Sequence, residues 1–128
     1  MNTISIDESR LSDIKRFAET HERDIVRDIA RLVRIPSVEG PAEPGAPFGI
    51  ESRKALDCAL QIAEELGLDT VNCENKIGYA TIGTDHGQGY LATITHVDVV
   101  PAGDGWSEDP FTLREREGYL IGRGVMDD

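Results

Sequence analysis

The sequence contains little cysteine, few aromatic residues and no long apolar run. Its 128 residues include 2 cysteines, and only 5% of them are aromatic. Cys58 and Cys73 could form a disulfide, but two cysteines in a chain without a secretion signal are more typical of reduced thiols. Neither has a Cys or His partner at ligand spacing, so we do not expect them to form a zinc site.

Positive charge is also scarce, with 13 Lys and Arg against 24 Asp and Glu and a net charge of −11. Nucleic-acid-binding proteins neutralise phosphates with basic patches, so nucleic acid is not an expected partner. No segment approaches the roughly 20 apolar residues that span a bilayer, so a membrane is not expected either. Residues 1–8 have neither the basic nor the apolar part of a signal peptide, which favours a cytoplasmic location.

Helical periodicity dominates the first half of the chain. Residues 5–8 (Ser-Ile-Asp-Glu) are typical of a capping box, with Asp7 as a competing cap. Apolar residues at helical spacing then predict a long amphipathic helix, interrupted near residues 20–22 and ended by Pro36. Residues 39–48 are rich in proline and glycine and predict a loop. A second helix is predicted from about Ile50 to Leu66, followed by Gly67 as its C′ residue.

The second half predicts strands. Strand-like runs cover residues 68–73, 77–82 and 90–95, with turns at 75–76 and 85–89. The third run has too few charges for a strand with one wet face, so we expect it in the centre of the sheet. Residues 111–121 predict a short hairpin turning at Glu117 and Gly118. The predicted fold class is α/β, a mixed β-sheet flanked by helices.

His96 and Asp98 follow the third predicted strand. Residues two apart on a strand point to the same side. One ring nitrogen of a histidine can bind a metal while a carboxylate holds the other nitrogen. The end of such a strand is also where α/β sheets bind ligands. By itself, however, the pair is more typical of a hydrogen-bonded loop entry than of a metal site.

A second motif, Gly-Arg-Gly-Val-Met-Asp-Asp, covers residues 122–128. It begins like a dinucleotide-binding turn, but the third glycine is missing and Asp127 stands in its place. A carboxylate there would repel a pyrophosphate and suits a divalent cation. We expect Arg123 to form a structural salt bridge and Asp128 to face away from the site.

The remaining polar residues favour structural roles. We expect Trp106 to hold the loop after Pro101 onto the sheet rather than to contact substrate. The acidic residues of this loop are typical of turn caps, and the other two histidines are expected at the surface. These are Asp104, Glu108, Asp109, His21 and His86.

Taken together, these motifs resemble the signature of one family. They are His-Val-Asp-Val-Val-Pro at 96–101, Gly-Trp at 105–106, Asp-Pro-Phe at 109–111, Gly-Tyr-Leu at 118–120 and the motif at 122–128. They resemble the two-metal exopeptidases and deacylases, which include aminoacylases, carboxypeptidase G, desuccinylases and carnosinase. Arg-Ile-Pro-Ser-Val at 34–38, Pro-Phe-Gly at 47–49 and Gly-Tyr-Ala at 78–80 are similar to the PepV-type dipeptidase branch.

The resemblance implies a site and a domain. Residues 1–128 would be the amino-terminal portion of a zinc-exopeptidase-like catalytic domain. His96 would bind one metal, Asp127 would bridge two, and Asp98 would serve catalysis by holding the imidazole. The implied cofactors are two divalent ions, with zinc expected and manganese as the competitor. The substrate-binding residues stay unknown.

The implied function is metal-dependent hydrolysis of the amide bond of dipeptides, with a small peptide as substrate and a homodimer as an open question. The alternatives are an N-acyl amino acid deacylase or desuccinylase of the same family, or a truncated product without activity. Because the general base and further ligands of the family have no counterpart here, we expect the 128-residue chain alone to be inactive. We also expect it to expose apolar surface where its sheet is incomplete.

Overall fold

A computed structural model describes residues 7–83 and 91–127, and it places three helices before two short hairpins. The helices are α1 (Glu8–Thr20), α2 (Glu22–Val33) and α3 (Ile50–Glu65). The strands are β1 (Asp69–Cys73), β2 (Ile77–Thr81), β3 (Arg114–Arg116) and β4 (Tyr119–Ile121). Within these ranges no helix has the length and apolar character needed to cross a membrane.

The predicted break in the first helical segment is confirmed, since α1 ends at Thr20 and α2 begins at Glu22. Asp7 caps α1, and its side chain accepts a hydrogen bond of 2.8 Å from the amide of Arg10. The alternative cap, Ser5, lies outside the described residues. His21 ends α1, with its ring stacked on Phe17 at 4.0 Å, which agrees with a surface role.

Helix α3 has the predicted extent, and Gly67 follows it with a positive φ of 83°. The helix packs on the antiparallel β1–β2 hairpin. Gly78 makes this contact possible, because a Cβ there would lie 2.8 Å from a methyl carbon of Leu60. Arg31 of α2 forms a two-pronged ion pair with Glu65 of α3, which joins the two helices.

The α/β fold class is confirmed, but the predicted central strand over 90–95 is wrong for the part of it that is described. Residues 91–95 belong to no strand, and the side chains of Leu91 and Ile94 are 89% and 97% exposed. A strand requires a neighbour for its backbone hydrogen bonds. Apart from an isolated bridge between Glu43 and Ala46, the described residues pair only as β1–β2 and β3–β4, so they contain two separate antiparallel hairpins rather than one mixed sheet.

Leu91 and Ile94 thus expose apolar side chains outside any sheet, and the expectation of apolar surface where a sheet is incomplete stays a prediction. The turn predicted at 85–89, which includes His86, lies outside the described residues. The hairpin predicted over 111–121 is confirmed as β3–β4 with a shorter first strand, and Glu117 and Gly118 form its turn with positive φ angles. Both cysteines are free thiols, as predicted.

Candidate metal-binding site

The three residues predicted for the site lie together in the structure. The Nδ1 atom of His96 is 3.0 Å from the main-chain oxygen of Asp98 and 3.4 Å from its carboxylate. On the opposite side of the ring, Nε2 is 3.7 Å from the carboxylate of Asp127. The imidazole therefore lies between the two predicted acidic residues, with one ring nitrogen directed toward each.

The partner of Nδ1 differs in detail from the expectation. The carbonyl oxygen of Asp98 is closer to the ring than the carboxylate is. A hydrogen bond from Nδ1–H to that carbonyl would fix the tautomer in which Nε2 carries the lone pair. The backbone and the side chain of Asp98 thus both favour an orientation in which Nε2 faces Asp127.

Asp127 reaches this position through the loop that follows β4. Gly124 has a φ of 84°, and a Cβ at this residue would lie only 2.7 Å from a methyl carbon of Val99. A Cβ at Gly122 would likewise lie 2.9 Å from a methyl carbon of Val33. The two glycines of the motif therefore allow the loop to approach α2 and the segment after His96, rather than to cradle a phosphate.

The segment after His96 is fixed from its other side by Ser37, which follows α2. The amide of Val99 donates a hydrogen bond of 3.2 Å to the carbonyl of Ser37. The hydroxyl of Ser37 donates one of 2.8 Å to the carbonyl of Val97. The two bonded residues, Val97 and Val99, flank Asp98, whose side chain is exposed.

The loop at 101–106 is closed by its tryptophan. The indole N–H of Trp106 donates to the carbonyl of Ala102 at 2.9 Å, and Arg123 donates to the same oxygen at 2.9 Å. The Arg123 guanidinium also lies 5.5 Å from the centre of the indole ring. The salt bridge expected for Arg123 was thus wrong: its partners here are a carbonyl and an aromatic face, which bring the second motif onto the loop.

Among the acidic residues of the loop, Asp109 has the capping role that was predicted. Asp109 accepts hydrogen bonds from the Phe111 amide at 3.0 Å and the Thr112 hydroxyl at 2.7 Å. These bonds, the amide first, lower the pKa of the Asp109 carboxyl. Glu108 instead pairs with Arg114 at 3.1 Å. Asp104 is exposed, and Asp128 lies outside the described residues.

His96 and Asp127 fit the requirements of a divalent metal in part. Two ligands of one tetrahedral zinc ion lie roughly 3.3 Å apart, close to the 3.7 Å between Nε2 and the Asp127 carboxylate. Imidazole and carboxylate are both common zinc ligands. Within residues 7–83 and 91–127, however, no group of three or more His, Cys, Asp or Glu side chains is arranged to hold an ion. The pair therefore suits two positions of a site that needs further ligands.

Comparisons with known proteins agree with the motifs. The sequence profile of Peptidase family M20/M25/M40 matches residues 92–128, which include the three site residues. The chain is 38% identical over 109 residues to YtjP of Bacillus subtilis and 38% identical over 116 residues to a protein of Staphylococcus aureus strain USA300. Both relatives carry the designation "Putative dipeptidase". These alignments cover 84% and 89% of this chain.

The fold matches as well. A crystal structure of human carnosine dipeptidase 1 superposes with a TM-score of 0.74 and 26% sequence identity, over 92% of this chain and 28% of that one. In sequence and in fold the chain is therefore similar to the M20/M25/M40 peptidases. It spans about a quarter of the length of the curated relatives it matches. The predicted family resemblance is confirmed, whereas the metal-binding and catalytic roles of His96, Asp98 and Asp127 stay predictions.

One residue of the site was not singled out from the sequence. Ser37 is 2% exposed and bonds to the segment that carries Asp98. The available signal was a small hydroxyl residue directly after a helix-ending proline, within a stretch that resembles the family. That signal does not reveal its partner, because Val97 lies far along the chain.

Proposed function

We propose that the complete protein is a metal-dependent peptidase that hydrolyses the amide bond of dipeptides, and that this chain contributes part of its metal site. The proposal is carried by one observation: the His96 imidazole has Nε2 directed toward Asp127 and Nδ1 held by Asp98. The dipeptidase designation of the relatives and the likeness to carnosine dipeptidase 1 support the substrate class.

His96 and Asp127 would hold the ion, and Asp98 would keep the imidazole in the tautomer that binds it. A bound divalent ion would supply the Lewis acidity that polarises the scissile carbonyl and activates a water molecule. We propose two such ions, as the resemblance to two-metal exopeptidases implies, with zinc before manganese because imidazole and carboxylate are both common zinc ligands. A cytoplasmic location and a possible homodimer remain part of the proposal.

The test uses the complete gene product, stripped with a chelator and reloaded with Zn²⁺ or Mn²⁺. Amine release is then measured for a dipeptide panel and, in parallel, for N-acetyl and N-succinyl amino acids. We expect hydrolysis of dipeptides that is lost on chelation and restored by the metal. A preference for N-acyl amino acids would favour the deacylase alternative, and activity that survives chelation would contradict a metal-dependent mechanism.

Matched histidine variants link that activity to the site. His96→Ala should lower kcat/KM at least about 100-fold, since even residues that only support a metal ligand change metal affinity or activity by about 10–100-fold. His21→Ala is the control, because His21 stacks on Phe17 at the end of α1. Equal losses of kcat/KM in both variants would show that the activity does not depend specifically on His96.

The 128-residue chain is proposed to be inactive by itself, because His96 and Asp127 provide, within the described residues, only two of the three or four ligands that a zinc site requires. Equilibrium dialysis against zinc and the same peptide assay would check this. Tight binding of two zinc equivalents together with peptide turnover would contradict it.

A further inference from the structure

Ser37 combines deep burial with two long-range hydrogen bonds. It is the only polar residue among those described that is buried, with 2% of its surface exposed. It lies beyond the end of α2, after Pro36, and its hydroxyl reaches a carbonyl 60 residues further along the chain. A buried serine that only needed a partner for its own hydroxyl could use a nearby carbonyl of its own segment.

The two bonds reproduce one bridge of a parallel sheet. In such a bridge, a residue accepts from the amide of one partner and donates its own amide to the carbonyl two residues earlier. The Ser37 carbonyl accepts from Val99, but its amide is already used, at 2.8 Å, on the carbonyl of Ile35. The side-chain hydroxyl takes its place and donates to Val97. A hydroxyl is therefore required here, and an apolar side chain would leave the Val97 carbonyl without this donor.

The bridge fixes the residue between its two contacts. Val97 and Val99 flank Asp98, so their backbone groups cannot rotate without breaking a bond to Ser37. The Asp98 carboxylate lies 3.4 Å from Nδ1 of His96, so the two side chains are on the same side of this segment. The ring also contacts the main-chain oxygen of Asp98 at 3.0 Å, which ties the backbone held by Ser37 to the imidazole.

We propose that Ser37 is a positioning residue for the metal site, acting through the backbone of residues 97–99 on the orientation of His96 and Asp98. This assignment rests on the proposed function, because it presumes that His96 binds a metal. Ser37 itself touches neither His96 nor Asp127 in any contact described above.

The test compares three variants of the complete protein: Ser37→Ala, Ser37→Cys and Ser52→Ala. Cysteine nearly preserves the volume of serine but is a weak donor, so it separates loss of the bond from loss of packing. Ser52 is the matched control, because its hydroxyl donates to the Ser37 carbonyl at 3.5 Å and, among the hydrogen bonds of the described residues, bonds to none of residues 97–99. Zn²⁺ affinity is measured by chelator competition, and the Co²⁺-substituted proteins are compared by visible absorption.

We expect Ser37→Ala and Ser37→Cys to weaken Zn²⁺ binding about 10-fold and to alter the Co²⁺ spectrum, as loss of support around a metal ligand does. Ser52→Ala should stay within about twofold of wild type. In the peptide assay kcat should fall more than KM changes. If Ser37→Ala fails to fold, the volume-preserving cysteine variant decides the question.

Wild-type Zn²⁺ affinity and Co²⁺ spectrum in both Ser37 variants would overturn the positioning role and leave the proposed function intact. An equal loss in Ser52→Ala would also overturn it, because the effect would then belong to general packing. A wild-type protein that binds zinc but hydrolyses no dipeptide would contradict the proposed function. The Zn²⁺ affinities of the variants would still test the positioning role of Ser37. A wild type that binds no divalent ion would overturn both.

Discussion

The Nε2 atom of His96 lies 3.7 Å from the carboxylate of Asp127, although a tryptophan loop and a hairpin separate the two residues in the sequence. The distance follows from two backbone approaches. Ser37 fixes the segment after His96, and Gly124 lets the loop before Asp127 pack against Val99. The contact therefore depends on residues that carry no metal-binding group themselves.

Replacing Asp127 by asparagine should weaken metal binding by at least about 100-fold, because an amide carries no charge and binds zinc poorly. Isothermal titration of the complete protein with Zn²⁺ would measure the change. Asp104→Asn is the matched control, since it removes one exposed carboxylate from the nearby loop. A comparable loss in both variants would point to general electrostatic attraction rather than ligation.

Gly124→Ala should destabilise the protein by about 1–3 kcal/mol more than Gly103→Ala, because of overpacking. Both residues have positive φ, so both substitutions carry a backbone cost, but only at Gly124 would the new Cβ meet a side chain, at 2.7 Å from Val99. Urea denaturation of the two variants isolates the steric part.

Val99→Ala combined with Gly124→Ala should recover part of that loss, because it removes the atom that clashes. Additive effects of the two substitutions would show that the close approach to Val99 is not the source of the cost.

The ion pair between α2 and α3 should make stability dependent on pH. The hydrogen bond from Arg31, at 3.0 Å, lowers the pKa of Glu65 below its ordinary value of 4.5. A carboxyl with a lower pKa in the folded state stabilises the fold above the unfolded-state pKa, and this contribution is lost as the pH falls through the folded-state pKa. Glu65→Gln should therefore flatten the decline in stability below about pH 4.5.

Thermal unfolding across that pH range would measure the slope for wild type, Glu65→Gln and Arg31→Met. Arg31→Met should flatten the curve at least as much as Glu65→Gln, because the pKa of Asp28, lowered chiefly by Arg27, is lowered by Arg31 as well. The double variant should add little to Arg31→Met. If Arg31→Met keeps the wild-type slope, the pH dependence does not come from this pair.

Arg123→Met should loosen the loop at 101–106. It removes a charged hydrogen bond to Ala102 and a guanidinium lying 5.5 Å from the Trp106 ring, for a loss of about 1–2 kcal/mol. Trp106 is the single tryptophan of the 128-residue sequence, so its fluorescence reports directly on this site. We expect its emission to shift to longer wavelength as the indole gains water.

Arg116→Met is a suitable comparison, because Arg116 is an exposed residue of β3. Its emission spectrum should match that of wild type. A red shift of the same size in both variants would indicate that the hairpin as a whole, rather than Arg123, protects the indole.

Local features of the chain could be predicted from the sequence. The Asp7 cap, the break at His21 and Gly67 after α3 depend on residues within one helical turn, where side-chain hydrogen bonds and backbone sterics decide the outcome. The β3–β4 turn at Glu117 and Gly118 is similarly local. The strand predicted over 90–95 could not be judged this way, because a strand forms only beside another strand.

The sequence by itself determined the resemblance to the M20/M25/M40 peptidases and the choice of the three candidate residues, because the motifs around His96 and Asp127 are local in the chain. Only the tertiary structure decided that Ser37 bridges to residues 97–99, and that Arg123 meets a carbonyl and an indole rather than an acid. The physical reason is that hydrogen-bond partners far apart in sequence are chosen by packing. Local patterns specify which groups a residue offers, and the fold specifies which groups it meets.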